Sequence, residues 1–579
     1  MKLKKIMMVL FIPAMLSACS ATDAQRQAAA PNILVIVADD LGFSDTQPFG
    51  GEISTPNINQ LAEEGAVLSN FYAGPTCSVT RSMLLTGNDN HQAGLGTMAE
   101  YLQPEQKGKV GYEGRLNSQV MTVAEILKNK GYFSFVTGKW HLGMTDDSTP
   151  KARGFDRSFT LMPGGAAHMD ASQMFPGNYK ARYFEDGKET TLPADFTFSS
   201  DFYTDKFLSY LKNDRKKGQP FFGYLAFTAP HWPLQAPDEY LEKYRGHYQD
   251  GYEPVRRQRL ARMIEQGIMP AGTEVNNPLA GVFDGWDKLT PQQKQEQTKA
   301  MQIYAAMIDN LDYNVGRVIQ YLKDTGELDN TLILFMSDNG AESATPESLG
   351  TTEDKNGIRD WVDATFDNSL ENMGRKGSYV TLGPQWAQVA STPLPYFKSI
   401  LSEGGIHVPA VIRYPAKVKA GQIQRDTIHV MDFVPTVLEL TGAQRPASYK
   451  GNRLQPLEGR SFLPVFAGGK LPERTLGWEF NSRRALYQGD WVGVRQTPPY
   501  GTGSWELYNH RTDPSHRNNL ADRYPQQAQA LAAEWDRYAR HVGVVEAPVR
   551  YKYGQMNCFY SQCIQPDFLK KLSEQASGS

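Results

Sequence analysis

The chain has 579 residues, 40% of them hydrophobic and 21% charged, with a formal net charge of -3. That length allows two or more domains and a large buried core. The composition is that of an ordinary globular protein, and the near-neutral balance gives no electrostatic basis for a nucleic-acid partner. No mature apolar run reaches the roughly 20 residues that a membrane-spanning helix needs.

Lys2, Lys4 and Lys5 precede a short apolar core, Ile6 to Leu16, and Leu16-Ser17-Ala18-Cys19 follows. This is the pattern of a secretory signal peptide rather than a span. Its end resembles a bacterial lipobox, which implies cleavage before Cys19 and lipid on the Cys19 sulfur. Residues 1–18 then read as a lipoprotein signal peptide and 19–30 as a polar tether. The implied partners are the lipoprotein-processing machinery and a membrane reached through the lipid anchor. The expected location is the periplasm or the outer membrane. Ser20, rather than Asp, favours the outer membrane by resemblance to sorting in enteric bacteria. The four cysteines separate accordingly: Cys19 is lipidated, Cys558 and Cys563 are close enough in sequence to form a disulfide after export, and Cys77 stands alone.

The globular part opens with Pro31 to Ala38, a continuous apolar and β-branched run expected as a strand buried on both faces. Asp39-Asp40 close it. Thr55-Pro56 predicts a helix start, and the helix ends near Gly65. Gly74-Pro75 is a turn, and a helix is expected from Cys77, with Arg81 one turn on. A helix N-terminus with free N–H groups and an adjacent arginine suits a tetrahedral oxyanion. Thr122 to Glu125 is a capping box for a helix to Lys130.

Tyr132 to Val136 is a second strand, with Lys139 and His141 past its end. Phe221 to Phe227 is a third, with His231 past its end. Residues 147–200, 235–290 and 341–390 read as loop-rich insertions. Met301, Tyr304, Ile308, Leu311, Val315, Val318 and Leu322 mark a long amphipathic helix. Thr331 to Met336 is a fourth strand, running into Asp338-Asn339. Lys398 follows, and Gly404-Gly405 reads as a tight turn into the strand Pro409 to Ile412. Val430 to Thr441 is helical. After about residue 445 the strands shorten, and Gln526 to Arg540 is a late helix.

Alternating helices and apolar strands predict an α/β fold with a mainly parallel central sheet flanked by helices. The catalytic domain spans 31–445, a smaller α+β C-terminal domain spans 446–550 and closes over one edge of the site, and 551–579 is a tail. Ligands of such sheets sit beyond the carboxyl ends of the strands, and here four strands end in chemically capable residues. Asp39, Asp40, Asp338 and Asn339 offer only oxygens, which suit a hard cation, calcium or magnesium, while no His/Cys spacing suits zinc. Arg81, Lys139 and Lys398 can neutralise an anionic head group, and His141 and His231 can act as general base and acid. His168, His247, His407 and His429 read as solvated loop histidines.

In number and order these motifs resemble the formylglycine-dependent type I sulfatases of the alkaline phosphatase superfamily, bacterial arylsulfatases above all. The resemblance runs from about Asn32 to Leu520. It rests on Ala38-Asp39-Asp40-Leu41-Gly42, Cys77-Ser78-Val79-Thr80-Arg81, Gly138-Lys139-Trp140-His141, Pro230-His231-Trp232-Pro233, Ser337-Asp338-Asn339-Gly340 and Glu403-Gly404-Gly405. It implies a divalent cation, calcium first and magnesium as the alternative, held by Asp39, Asp40, Asp338, Asn339 and the modified Cys77.

It further implies that a formylglycine-generating system converts Cys77 to an aldehyde whose hydrate attacks the sulfur of a small sulfate ester or sulfated carbohydrate. Lys139, His231 and Lys398 would bind the sulfate, His231 and Lys398 would also help the leaving oxygen, Arg81 would hold the hydrate, and His141 would be the base that releases sulfate. The chain departs from the family pattern at Val79, where Pro or Ala is usual, so conversion depends on a modifying system that accepts valine. Two other readings stand beside this one: a phosphonate or phosphate ester hydrolase of the same superfamily, and a lipoprotein that binds sulfated glycans without turnover.

Overall fold

The structure is a computed structural model describing residues 30–177, 179–278, 282–283, 285–349, 356–498, 500–548 and the backbone of 558–559 and 562–563. The signal peptide, the tether and lipidation at Cys19 fall outside the described residues. So do the side chains of Cys558 and Cys563, whose backbones pair antiparallel.

Asn32–Ala38 is the strand around which the sheet is built, and every residue of it is buried. Ile33, Val35 and Val37 face one hydrophobic core, and Leu34, Ile36 and Ala38 face another. Period-2 alternation thus feeds two apolar layers, which is why the run carries no polar residue after Asn32. Phe221–Ala226 and Thr331–Ser337 flank it, both parallel to it. Ten strands make the sheet, in the spatial order Gln422–Gln424, Ala66–Leu68, Ala410–Arg413, Thr331–Ser337, Asn32–Ala38, Phe221–Ala226, Phe133–Lys139, Arg157–Leu161, Tyr183–Glu185 and Lys188–Thr190. The middle is parallel, and antiparallel pairs appear toward both edges, at Ala410–Arg413 and at Tyr183–Glu185.

Helices cover both faces. On one, the 34-residue helix Pro291–Asp324 lays Met301, Tyr304, Ile308, Leu311, Val315 and Val318 into the core. It starts some ten residues before the apolar period does, on a capping box from Thr290 and Gln293. On the other, Cys77–Thr86 buries all ten of its residues, with Val79, Met83, Leu84 and Leu85 in the core. Val79 packs where a Cβ on Gly74 would stand 2.7 Å from its Cγ1. The capping box at Thr122 forms both of its bonds. Thr55 does precede the helix Pro56–Glu63, but its hydroxyl accepts from the Gln47 N–H rather than from the helix.

Two of the expected loop insertions contain helices. Residues 235–290 hold Asp238–Lys243 and Tyr252–Glu265, and residues 341–390 hold Arg359–Thr365 and Pro384–Ala390. The C-terminal region is an antiparallel sheet of Thr475–Phe480, Arg483–Gln488, Trp491–Arg495 and Glu506–Asn509. The helix Pro525–Val542 packs on it through Leu531 and Trp535. Among the described residues no helix is long and apolar enough to cross a membrane.

Candidate active site

Register builds the acidic centre. Ala38 pairs with Ser337 at the ends of two parallel strands, so the residues that follow, Asp39-Asp40 and Asp338-Asn339, emerge side by side. The Asp40 N–H donates to Asp338 Oδ1 at 3.2 Å, and Asn339 Nδ2 donates to Asp40 Oδ1 at 2.7 Å. Asp40 adopts φ 68, a left-handed conformation that costs a non-glycine residue about 1 kcal/mol or more and that clusters at functional sites.

Cys77 is the first residue of its helix, with Sγ 3.3 Å from Asp39 Oδ1 and 3.7 Å from Asp40 Oδ1. One ligand atom from each of Asp39, Asp40, Cys77 and Asp338 lies within 4.8 Å of the others. Asn339 Oδ1 is buried with no hydrogen-bond partner. A compact set of hard oxygens with one orphaned acceptor fits a calcium- or magnesium-sized cation.

The electrostatics agree. Burial raises the Asp39 carboxyl, with Lys139 opposing and Asp338 adding to the rise. Burial likewise pushes Asp40 to about 8, with Lys398 opposing and Asp39 adding. For Asp338, burial would raise the carboxyl, but Arg81, Lys139 and Lys398 outweigh it and hold it below its ordinary value. A cation among these three would keep all of them ionised.

The cations expected from the sequence surround this centre. Lys139, the last residue of its strand, places Nζ 2.9 and 2.7 Å from the two Asp39 oxygens. Arg81 binds Asp338 Oδ2 through Nε at 2.9 Å and donates to the Lys139 carbonyl at 3.0 Å. Its Nη2 lies 2.8 Å from Asp338 and 3.6 Å from Asp39 but makes no well-aligned hydrogen bond, so it keeps a proton to offer. Lys398 Nζ bridges Asp40, at 2.8 Å, and Glu342, at 2.9 Å.

The histidines divide. His231 donates through Nδ1 to the Trp232 carbonyl at 2.5 Å and sets Nε2 3.5 Å from Asp40. Burial, then Lys398 and Lys139, holds it well below its ordinary value. His141 places Nε2 3.2 Å from both oxygens of Glu100. A cavity of about 40 Å³ lies among Cys77, His141, His231 and Lys398, walled by Met98, Tyr101, Met174, Phe175, Tyr179 and Trp232, with Glu100 and Glu342 at its side.

Every residue assigned to the site from the sequence is therefore at one centre. Glu100, Glu342 and the aromatic wall were not foreseen. Glu342 had a signal, four residues after Asp338 on the same loop, while Glu100 had none. The solvated reading holds for His247 and is corrected for His168, His407 and His429, which are buried. His168 braces the site from behind, with Nε2 2.9 Å from the His231 carbonyl and Nδ1 2.7 Å from Ser199 Oγ. Burial lowers it to about 4, so it is a neutral strut.

Lys398 rides on a loop that the C-terminal region grips. Tyr396 Oη donates to the Tyr500 carbonyl at 2.9 Å, and Arg483 donates to the Ser399 carbonyl at 3.3 Å. The Gly-Gly that closes the loop is one helical turn, Glu403–Ile406, rather than the tight turn expected. The glycines serve close approach: a Cβ on Gly404 would stand 2.1 Å from the Tyr396 carbonyl oxygen.

Glu403 anchors this turn, accepting from Tyr487 at 2.6 Å and lying 2.7 Å from His407 Nδ1. Burial would raise its carboxyl, but His407 first, and then His516 and His510, bring it down to about 2. A depressed carboxylate contributes stability above its ordinary value of 4.5, and this is lost as pH falls from there toward 2. Glu403→Gln is therefore expected to cost about 1.5–3 kcal/mol at neutral pH and to flatten that acid limb. Urea unfolding at a series of pH values checks it, and an unchanged acid limb would contradict it.

Fold and site together define a hydrolase-like centre, a cation-sized cluster of carboxylates ringed by lysine, arginine and histidine beyond the carboxyl edge of a mostly parallel sheet. The sulfatase family model matches residues 31–443. An uncharacterized sulfatase of Schizosaccharomyces pombe is 42% identical over 551 residues, covering 91% of this chain and 97% of the relative. An arylsulfatase of Klebsiella aerogenes is 41% identical over 464 residues, covering 79% and 95%. Among solved structures, Ps i-CgsB in complex with k-i-k-neocarrahexaose superposes with a TM-score of 0.61 at 21% identity, covering 95% of this chain and 98% of that one. The chain belongs to the sulfatase family and is a sulfuric ester hydrolase.

Proposed function

We propose that this protein hydrolyses small sulfate monoesters, aryl sulfates first, to inorganic sulfate and a phenol or alcohol, using a nucleophile made from Cys77. The observation that carries the reading is the position of Cys77 itself, at a helix N-terminus against Asp39 and Asp40, with Arg81, Lys139, His141, His231 and Lys398 around it. As a thiol it is poorly suited to attack: burial, then Asp338 and Asp39, pushes it well above its ordinary value. Conversion to formylglycine supplies a hydrated aldehyde hydroxyl in its place, and a divalent cation, calcium in our assignment, held by Asp39, Asp40, Asp338 and Asn339 supplies positive charge beside it.

The chain's own residues do the rest. Lys139 and Lys398 offset charge on the sulfate oxygens, which a poor electrophile requires before it accepts a nucleophile. His231 is neutral in the resting site, with its Nδ1–H committed to the Trp232 carbonyl, so Nε2 accepts rather than donates. Lys398 is then the group with protons for the leaving oxygen. Arg81 Nη2 orients the residue-77 side chain, and His141 accepts a proton. The wall of Tyr101, Phe175, Tyr179 and Trp232 around so small a cavity suits a flat aromatic leaving group stacked at its mouth.

Initial rates on 4-nitrophenyl sulfate, 4-nitrophenyl phosphate and phenylphosphonate test the proposal. Sulfate is expected to be the fastest and to lose its rate on chelation, with recovery on adding calcium. A phosphonate preference would instead assign the site to the phosphonate hydrolases of the superfamily.

A further inference from the structure

His141 is held more firmly than its loop position requires. Its backbone adopts φ 55, and its N–H donates to the Met162 carbonyl at 3.2 Å. Gly164 lies against the imidazole: a Cβ there would stand 2.9 Å from Cε1 and 3.2 Å from Nε2. Glu100, set in the 3-10 turn Ala99–Tyr101, meets Nε2 with both carboxylate oxygens at 3.2 Å. His141 Nδ1 is buried and has no partner among the described residues. Burial alone would raise the Glu100 carboxyl, but the charge His141 carries when protonated, and its hydrogen bond, outweigh it and hold it at about 2. The other titratable groups facing the same cavity are Cys77, Tyr101, Tyr179, His231, Glu342 and Lys398, and Lys139 adds to the field at Glu100.

An ionised carboxylate can only accept a hydrogen bond, so Nε2 must donate, and in a neutral imidazole the lone pair is then left on Nδ1. We propose that Glu100 is a positioning residue of this site: it fixes His141 as the Nε2–H tautomer, so that Nδ1 is the proton acceptor. When Nδ1 takes a proton from a hydroxyl in the cavity, the ring becomes imidazolium and the Glu100 carboxylate neutralises it at Nε2. The proton leaves to water and the neutral tautomer returns. What the acceptor does in turnover rests on the function proposed above, whereas the tautomer is a property of the resting protein.

The test uses the whole protein labelled with 15N-histidine. Two-bond proton–nitrogen spectra near neutral pH are assigned by loss of the signal in His141→Asn. The wild type is expected to show a protonated Nε2 and a bare Nδ1, and Glu100→Ala a mixture of tautomers. Glu100→Ala should also lower kcat on 4-nitrophenyl sulfate by about a hundredfold, at the low end of what positioned proton transfer contributes, with little change in KM. Glu100→Gln keeps an acceptor at the same place, and it is expected to keep the tautomer and recover most of that loss. A wild-type His141 protonated on Nδ1, or nitrogen shifts unchanged in Glu100→Ala, would overturn the proposal. Sulfate release with the reverse tautomer would overturn the positioning role alone. The expected tautomer in a protein that releases no sulfate would overturn the proposed function alone.

Discussion

Cys77→Ala is expected to abolish sulfate release, by roughly 10^4- to 10^6-fold, the range seen when a covalent nucleophile is removed, while leaving the fold in place. The side chain is small and buried at the first turn of its helix, with Asp39 and Asp40 as its polar neighbours. Its loss leaves a minor cavity worth about 1 kcal/mol and removes two weak thiol contacts to carboxylates that keep other partners, Lys139 and Lys398. Catalysis and stability therefore separate at this position. Sulfate release by ion chromatography and thermal unfolding, measured on one preparation, check both halves. Residual turnover within tenfold of wild type would sink the assignment of residue 77, and a protein that fails to fold would contradict the view that Cys77 carries chemistry rather than packing.

The second large effect is expected at Asp338. Its Oδ2 holds Arg81 through Nε and Nη2, its Oδ1 accepts from the Asp40 N–H, and both residues of the Arg81–Asp338 ion pair are fully buried. Asp338→Asn removes a negative charge from the proposed cation site and leaves the Arg81 guanidinium with Asp39 at 3.6 Å as its remaining carboxylate. Breaking a buried pair from one side costs about 3–5 kcal/mol. The variant should unfold at lower denaturant than wild type and should fail to retain a stoichiometric divalent cation after dialysis, as read by atomic emission. Full cation retention would remove Asp338 from the ligand set.

How much of this was legible from residues alone follows from what each signal depends on. Three of the central strands were visible because a strand buried on both faces must be apolar through its interior, as Ile33–Ala38, Phe221–Ala226 and Leu332–Met336 are. The acidic centre was visible for the same reason, since charge placed directly after such a run has nowhere to go but the strand ends. The helix Tyr252–Glu265 was hidden because its inward face carries Arg256 and Arg259 among Tyr252, Leu260 and Met263. Arg259 is buried against Asp45 at 2.6 Å and Glu52 at 2.7 Å, so a core-facing position reads as a solvated one. His168, His407 and His429 failed likewise, because a histidine with a hydrogen-bond partner buries without changing the local pattern. Glu100 was beyond reach: a lone acid in a short turn meets His141 only through the tertiary fold.

The claim on which the rest depends is that Cys77 does not act as a thiol. Intact-peptide mass spectrometry across Cys77, on protein from cells with an active formylglycine-generating system, tests it most directly. The account predicts a peptide about 18 Da lighter than the encoded sequence, the difference between cysteine and formylglycine, in a fraction that tracks specific sulfatase activity from one preparation to the next. Full sulfatase activity in protein whose Cys77 peptide carries only the unmodified cysteine mass would contradict it.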